Sequence, residues 1–255
     1  MNWLEYHSQD DIESYLDYLV ENYDFAQTET IGESYEGRKM RVLKICKEAC
    51  GSKPAMWIDG GIHAREWITP AVATWIIKEL IEEDSSHPEL TDNLDWYILP
   101  IVNPDGYEFS RTEDRIWRKS RSPTYASPIC DGTDLNRNWG FHWNEGGATN
   151  SACGEDYHGA EAFSEVENRN IRDFVWERRD KIKFFMSLHS FSQLILIPWA
   201  FNYELPPGFT KLKSLADKAN EVSHPFQYSK ILHHHLKELN FKEFLSYIHI
   251  HKPQP

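Results

Sequence analysis

The feature that most constrains this chain is a short strand that runs into a glycine pair and then into a long apolar helix. Residues 54–59, Pro-Ala-Met-Trp-Ile-Asp, have strand character, and Gly60 and Gly61 follow them at once. From Ile68 to about Glu83 the apolar residues occupy more than one face of a helical repeat, which is typical of a helix buried against a sheet. This succession predicts an α/β fold in which helices cover a central sheet.

The alternation of strands and helices continues along the chain. Residues 96–102 are almost continuously apolar, as expected for a strand covered on both faces, and residues 103–106, Asn-Pro-Asp-Gly, predict a turn. We predict one mixed, mostly parallel central sheet with helices on both faces. The remaining predicted helices are 9–22, 165–179 and 211–222, and the remaining strands are 28–34, 39–46, 183–188 and 194–198.

Length and charge exclude several classes of protein. With 255 residues, ten Trp, twelve Tyr and thirteen Phe, the chain suits one large folded domain. Its net charge of −13 makes nucleic acid an unexpected partner, because phosphate binding needs a basic face. No apolar run is long enough to span a bilayer, so we expect no membrane partner. The first seven residues, MNWLEYH, contain no signal-peptide pattern.

The chain contains four cysteines, Cys46, Cys50, Cys130 and Cys153. An even number allows three full pairings, and the sequence alone does not choose among them. Pairing of sequence neighbours, Cys46 with Cys50 and Cys130 with Cys153, is the simplest arrangement and implies an oxidising compartment. Four free thiols in a cytosolic protein are the alternative.

Three side chains have the chemistry of metal ligands. His63 and Glu66 are separated by two residues, so an imidazole and a carboxylate can converge on one cation from a single turn. This spacing alone is a weak signal, and a solvated loop before a helix is its alternative interpretation. His189 also follows a predicted strand, and active sites of open α/β sheets lie beyond the carboxyl ends of the strands. Two histidines and one glutamate therefore predict a catalytic zinc site, although a lone His189 would more often be a satisfied core histidine.

Cations and amides from a loop-rich region, residues 110–160, are expected near the same rim. Arg118 and Arg121 lie in Trp-Arg-Lys-Ser-Arg, and Asn136 and Arg137 lie in Asp-Leu-Asn-Arg-Asn-Trp. Zinc with an arginine suits the polarisation of a peptide carbonyl, and a second arginine with an amide suits a grip on a carboxylate. Taken singly, arginine and asparagine on loops are more often solvated.

Five motifs in order strongly resemble the zinc metallocarboxypeptidases of the pancreatic carboxypeptidase A/B type. They are Gly-Gly-Ile-His-Ala-Arg-Glu-Trp-Ile (60–68), Asn-Pro-Asp-Gly-Tyr (103–107), Trp-Arg-Lys-Ser-Arg (117–121), Asp-Leu-Asn-Arg-Asn-Trp (134–139) and Ser-Leu-His-Ser-Phe-Ser-Gln (187–193). The resemblance implies hydrolysis of the C-terminal peptide bond of peptides with a free carboxylate. It implies one Zn²⁺ ion with three ligands: His63, Glu66 and His189.

The resemblance also assigns roles to other residues. Arg121 would polarise the scissile carbonyl, and Cys130 and Cys153 would form the family's disulfide. Four residues would contact the substrate: Arg65, Arg118, Asn136 and Arg137. Related enzymes are usually secreted as zymogens, and this chain resembles a mature domain without signal peptide or pro-segment. We therefore expect an extracellular monomer.

The resemblance extends from about Tyr6 to Tyr228, and the chain then departs from the family. We divide it into an incomplete catalytic domain, residues 1–228, and a divergent tail, residues 229–255, which lacks the family's C-terminal strand and helix. In the family, a later Phe-Glu-Leu-Arg-Asp-like run carries the general-base glutamate, and no such run is present here. Glu243 is a superficial candidate, but it comes too early and lies in helix-like sequence.

Two functional hypotheses follow from this departure. In the first, the chain is a zinc metallocarboxypeptidase whose turnover is weak or absent, because loss of a general base costs about 10²- to 10⁴-fold in rate. In the second, the chain is a catalytically inactive pseudo-peptidase that keeps zinc and binds peptide carboxylates.

Overall fold

The computed structural model describes residues 1–191, 194–199, 201, 204–223 and 248–251 of the chain. The helices are α1 (Gln9–Asn22), α2 (Ile68–Ile81), α3 (Glu89–Asp92), α4 (Pro104–Thr112), α5 (Val166–Glu177) and α6 (Phe209–Ser223). The strands are β1 (Ala26–Glu33), β2 (Lys39–Ile45), β3 (Ala55–Asp59), β4 (Asp95–Leu99), β5 (Ile182–Leu188) and β6 (Ile248–His251). Two short 3₁₀ helices, Asp84–Ser86 and Leu135–Arg137, lie in the connections.

The strands form one sheet in the order β1-β2-β4-β3-β5-β6. Strand β3 pairs in parallel with β4 on one side and with β5 on the other. The pairings β1–β2, β2–β4 and β5–β6 are antiparallel. The mixed α/β sheet with helices is confirmed, but its parallel part is confined to the three central strands and is smaller than predicted.

Connection length explains this division of the sheet. A turn of five residues joins β1 to β2, and so short a link allows only an antiparallel pair. The parallel strands need crossovers, which α2 supplies between β3 and β4 and which α5 supplies before β5. The carboxyl ends of β3, β4 and β5 consequently share one edge of the sheet.

Helices cover both faces of the sheet, as predicted. On one face, α1 and α2 pack against side chains of β2, β3 and β4, and this core includes Leu16, Leu19, Leu43, Ile58, Ile76, Ile77 and Ile98. On the other face, α5 packs against a second core that includes Met40, Val42, Trp57, Tyr97, Leu99, Ile171 and Phe174. Adjacent strand residues alternate between these two cores, so β3 and β4 are buried from both sides.

Two local predictions are wrong. Residues 103–106 form no isolated turn: Asn103 is the N-cap of α4, and its side chain accepts a hydrogen bond from the Gly106 amide, with Pro104 in the first helical turn. Asparagine followed by proline is a helix-start signal as well as a turn signal. Between 194 and 198 only Leu196 has a strand-type bridge.

The tail, for which the sequence analysis predicted no structure, contributes a strand to the sheet. Ile248–His251 forms β6 and pairs antiparallel with β5. Its Ile-His-Ile-His sequence has the period of two that a strand requires, and isoleucine favours strands. Glu243 lies outside the described residues.

All four cysteines are paired as sequence neighbours, Cys46 with Cys50 and Cys130 with Cys153. This confirms the simplest pairing and excludes four free thiols. Among the described helices, none has both the length and the apolar character that crossing a bilayer requires.

Candidate metal centre

Three metal-binding side chains meet where the carboxyl ends of β3 and β5 lie side by side. His63 and Glu66 follow β3, and His189 is the first residue after β5. Their candidate ligand atoms all lie within 4.8 Å of one another. His63 Nδ1 is 2.8 Å from Glu66 Oε1, and His189 Nδ1 is 3.2 Å from both His63 Nδ1 and Glu66 Oε2. The fold thus brings together residues that are more than 120 positions apart.

The glycine pair lets the chain turn from β3 into the segment that carries two of these ligands. A side chain at Gly60 would meet the backbone oxygen of Thr69 at 2.8 Å, so only glycine lets the first turn of α2 pack this closely. Gly61 has a φ of 65°, in the left-handed region that glycine adopts without strain. The glycines therefore set the path from the strand to His63.

Burial and hydrogen bonding shift the pKa of each of the three ligands. Burial opposes ionisation of Glu66, but the hydrogen bonds with His189 and His63 outweigh it and lower the pKa of Glu66 to about 2. Burial lowers the pKa of His189. Burial also opposes protonation of His63, yet its hydrogen bonds with Asp134 and Glu66 raise the pKa of that imidazole. An ionised carboxylate beside two imidazoles is an environment that attracts a cation.

Asp134 orients His63 from the side opposite the other ligands. Its Oδ1 lies 3.1 Å from His63 Nε2, which leaves Nδ1 of the same ring facing Glu66 and His189. A carboxylate behind a histidine ligand fixes the orientation of the ring and its tautomer. Sequence reasoning missed this residue, although Asp134 begins the motif in which Asn136 and Arg137 were singled out.

Arg118 belongs to the same network. Its Nε and Nη2 donate to Asp134 Oδ2 at 3.1 and 2.8 Å, and its Nη1 lies 3.9 Å from Glu66 Oε1. The guanidinium, predicted as a substrate contact, is thus placed behind the metal ligands, and its side chain is only 15% exposed.

Arg121 has a different set of contacts. Its guanidinium carbon lies 3.8 Å from the ring centroid of Phe109 and 4.6 Å from that of Trp117. One of its terminal nitrogens lies 3.9 Å from Asp131 Oδ2. These contacts place Arg121 between an aromatic ring of α4 and one of the loop, while Arg118 occupies the position beside the ligands.

The other predicted substrate-binding residues lie in loops. Asn136 and Arg137 are half-buried in the 3₁₀ helix that Asp134 caps, and Arg137 Nε donates to the carbonyl of Gly147 at 2.6 Å. Arg65 Nη1 donates to Glu155 at 2.9 Å and to the carbonyl of Ile116 at 3.1 Å. Asn136 and Arg137 follow Asp134 by two and three positions, and Asp134 contacts His63. Arg65 lies between the ligands His63 and Glu66 in the sequence.

The donor set fits zinc. Two imidazoles and one carboxylate form the set that catalytic zinc sites use, and structural sites use four protein ligands, mostly cysteines. All four cysteines here are tied up in disulfides. Fold and ligand set together are those of an α/β protein with three side chains placed to hold a zinc ion at the carboxyl edge of the sheet.

Comparison with known proteins identifies the family. The family described as zinc carboxypeptidase matches residues 12–239 of the chain. Carboxypeptidase B of Astacus astacus is 46% identical over 220 residues, which are 86% of this chain and 72% of that protein. Carboxypeptidase A2 of Rattus norvegicus is 41% identical over 225 residues, 87% of this chain and 53% of that protein. The chain belongs to the zinc carboxypeptidase family.

Solved structures agree with this assignment. Bovine thrombin-activatable fibrinolysis inhibitor, in complex with tick carboxypeptidase inhibitor, superposes with a TM-score of 0.80 at 37% identity, over 88% of this chain and 74% of that chain. Carboxypeptidase A from Helicoverpa armigera superposes with a TM-score of 0.85 at 32% identity, over 90% of this chain and 56% of that chain. The resemblance stated from the motifs is therefore confirmed. The family match runs past residue 228, and a domain boundary there stays a prediction.

Proposed function

We propose that this chain binds one zinc ion and acts on the C-terminal peptide bond of peptides and proteins that carry a free carboxylate. The observation that carries this proposal is the convergence of His63, Glu66 and His189 at the carboxyl edge of the sheet, with ligand atoms within 4.8 Å. Family membership supports the reaction class, because the relatives are named carboxypeptidases.

The chain's own residues would divide the work. His63, Glu66 and His189 would hold the metal, and a bound zinc ion supplies Lewis acidity that polarises a carbonyl. Arg121 would then steady the carbonyl oxygen of the scissile bond, which requires its guanidinium to leave the rings of Phe109 and Trp117.

Four loop residues would position the substrate. A guanidinium can grip a carboxylate with two parallel hydrogen bonds, which suits Arg137 with the help of the Asn136 amide. This pair would hold the terminal carboxylate, and would therefore fix which peptide bond lies at the metal. Arg65 and Arg118 would be subsidiary substrate contacts, Arg118 in addition to its hydrogen bonds with Asp134.

We propose slow turnover for these 255 residues, because they contain no Phe-Glu-Leu-Arg-Asp-like run to supply a general base. The expected loss relative to family members with this run is about 10²- to 10⁴-fold in rate. A protein that binds zinc and peptide carboxylates without turnover is the second candidate, and the same sequence observation favours it.

Setting and partners follow from charge and cysteine chemistry. Two disulfides suit an oxidising, extracellular compartment, which the family's secretion pattern also implies. The net charge of −13 argues against nucleic acid as a partner. We propose a monomer whose partners are peptide substrates.

Paired peptides test this proposal. The zinc-loaded chain is incubated with a peptide that has a free C-terminal carboxylate and with the same peptide as its C-terminal amide. Release of the C-terminal residue from the free acid alone, and its loss after chelation of zinc, is the expected result. Equal hydrolysis of both peptides contradicts the exopeptidase assignment, and binding of the free acid without release favours the pseudo-peptidase.

A further inference from the structure

A buried carboxyl joins the two strands that carry the metal ligands. Asp59 and Ser187 are direct partners in the parallel pairing of β3 with β5. Ser187 Oγ donates to Asp59 Oδ1 at 2.6 Å, and Trp57 Nε1 donates to Asp59 Oδ2 at 2.7 Å. Asp59 is 2% exposed and Ser187 is 7% exposed. Both oxygens of a carboxyl group inside the sheet thus have fixed donors.

The position of this pair matters because the ligands follow it directly. His63 comes four residues after Asp59, and His189 comes two residues after Ser187. The Asp59–Ser187 bond is therefore a side-chain link between β3 and β5 immediately before the two strands give way to the ligand-bearing segments. A change in the spacing of the strand ends here would move His189 relative to His63.

Backbone contacts beyond Asp59 tie the glycine pair to the other neighbour of β3. Gly60 N donates to the Leu99 carbonyl, and the amides of Val102 and Asn103 donate to the carbonyls of Gly60 and Gly61, at 2.9 to 3.1 Å. These bonds join the His63 segment to the strand β4 and its continuation. Towards β5, the described contacts at this level are the parallel pairing of β3 with β5, which ends at Asp59 and Ser187, and the hydrogen bonds of Glu66 with His189 and the Ser190 amide.

Burying a carboxyl is costly, and stability alone gives no reason to retain it. Burial raises the pKa of Asp59 to about 6, which shows that the charged form is disfavoured at this position despite its two donors. A pair of apolar side chains could fill the same space without this cost. The carboxyl supplies what an apolar pair does not, a directional bond to a defined atom of the neighbouring strand.

We propose that Asp59, through Ser187, is a positioning residue that sets the spacing between His189 and the pair His63–Glu66 for zinc binding. The inference rests on the proposed zinc site. Supporting groups behind zinc ligands typically change metal affinity by about 10- to 100-fold when removed, and we expect an effect of this size here.

The test measures release of zinc from the loaded protein to a chromophoric chelator, together with the visible spectrum of the Co²⁺-substituted protein. Ser187→Ala removes the donor to Asp59 and leaves the three ligands intact. We expect zinc release about 10- to 100-fold faster than in the parent chain, and a shifted Co²⁺ spectrum. Ser187→Thr keeps the hydroxyl group and is expected to restore both readouts.

Ser34→Ala is the matched control. Ser34 Oγ also donates to a buried aspartate, Asp105 Oδ1, at 2.6 Å, but this pair joins the β1–β2 hairpin to α4. The control should lose thermal stability as Ser187→Ala does, with zinc release and Co²⁺ spectrum unchanged. If Ser187→Ala releases zinc at the parental rate, the positioning role of Asp59 is wrong and the proposed function stands. If the parent chain binds no zinc, both the positioning role and the proposed function are wrong. Asp59→Asn, which keeps an oxygen acceptor, provides a second variant if Ser187→Ala fails to fold.

Discussion

At the scale of single residues, the carboxylate of Asp134 organises the metal centre. Its two oxygens accept from His63, from the guanidinium of Arg118 and from the backbone amide of Asn136. Burial opposes ionisation, but the hydrogen bond with His63 and the nearby arginines keep the pKa of Asp134 well below its usual range. A fully buried anion of this kind can hold His63 only while its countercharge stays in place.

Arg118→Ala removes that countercharge. We expect zinc affinity to fall about 10- to 100-fold, because Asp134 loses two charge-assisted hydrogen bonds and no longer fixes His63. Arg65→Ala is the matched control from the same rim, with a side chain that is 36% exposed and bonded to Glu155 and a backbone carbonyl. It should raise KM for peptides and leave zinc affinity unchanged. Zinc titration and steady-state kinetics separate the two effects. If Arg118→Ala binds zinc as tightly as the parent chain, Arg118 has only the predicted role of a substrate contact.

The residues of the centre were predictable to different degrees. His63 and Glu66 follow from a local spacing, and His189 follows from its place at the end of a strand. Asp134 has no local signal, because its function depends on a contact with a histidine 71 positions earlier in the chain. The same limit applies to Arg118, whose contact with Asp134 depends on how the loop folds over the strand ends.

At the scale of secondary-structure elements, Asn103 joins α4 to the loop that carries Arg118 and Arg121. Its Oδ1 accepts from the Gly106 amide, and its Nδ2 donates to the carbonyl of Lys119, both at 2.9 Å. The residue is completely buried. It therefore caps the helix and also fixes the loop in which Arg118 and Arg121 lie.

Asn103→Ala should cost about 1 to 3 kcal/mol of unfolding free energy, because the Gly106 amide loses its cap and the Lys119 carbonyl keeps only the bond from Trp117 Nε1. Urea denaturation measures this loss. Asn22→Ala is the control, since the Asn22 side chain is exposed and donates to the Tyr18 carbonyl of its own helix, α1. Its substitution should change stability by no more than about 0.5 kcal/mol. Similar losses in both variants would show that α4 does not depend on this cap.

A buried carboxyl group joins α5 to the turn between β1 and β2. Glu167 is fully buried, and its Oε1 accepts from the Tyr35 amide at 3.0 Å. Within the described part of the chain, its Oε2 has no hydrogen-bond partner. Burial raises the pKa of Glu167 to about 7, and the neighbouring Glu165 and Asp105 act in the same direction.

Glu167 should make the protein less stable as the pH rises. Between its ordinary pKa and about 7, the folded state keeps a proton that the unfolded state has lost, so the free energy of unfolding falls across that range. Glu167→Gln removes this dependence, and we expect a gain of about 3 kcal/mol above pH 8 relative to the parent chain. Urea denaturation from pH 4.5 to pH 8.5 measures it. Glu177→Gln, at the exposed end of the same helix, should leave the pH profile unchanged, and a parental profile in Glu167→Gln would contradict the prediction.

Elements with a strong period were predicted well. The bounds of α1 agree with the sequence prediction residue for residue and those of β3 within one residue, because a clear apolar stripe and a short buried run define them. Residues 103–106 were misread because the same asparagine, proline and glycine signal serves turns and helix starts. The sequence pattern of β6 was missed because four residues carry too little periodicity to stand out.

At the scale of the whole molecule, the architecture was predictable from the order of strands and helices. Their alternation requires helices on both faces of a sheet, and the two cores confirm it. Strand direction was less predictable, because it depends on which strands become neighbours and on how long the connections are. The three parallel strands bring His63 and His189 to one edge, and this part of the topology decides where the site lies.

Two disulfides of very different span stabilise the molecule, and their removal should differ in cost. Cys130–Cys153 joins residues 23 positions apart and closes the loop region that contains Asp134, whereas Cys46–Cys50 joins residues four positions apart. In the chain-entropy description, closing the longer loop stabilises the fold by about 3.5 kcal/mol and closing the shorter by about 2 kcal/mol.

Replacement of Cys130 and Cys153 by serine should therefore lower the free energy of unfolding by about 1.5 kcal/mol more than replacement of Cys46 and Cys50. Chemical denaturation of the two double variants, each with its other disulfide oxidised, measures the difference. The first variant should also be cut faster by a protease within residues 131–152, because this loop loses its covalent closure while the sheet remains. An equal or reversed order of stability would mean that packing around Cys46, next to the end of β2, outweighs loop entropy in this fold.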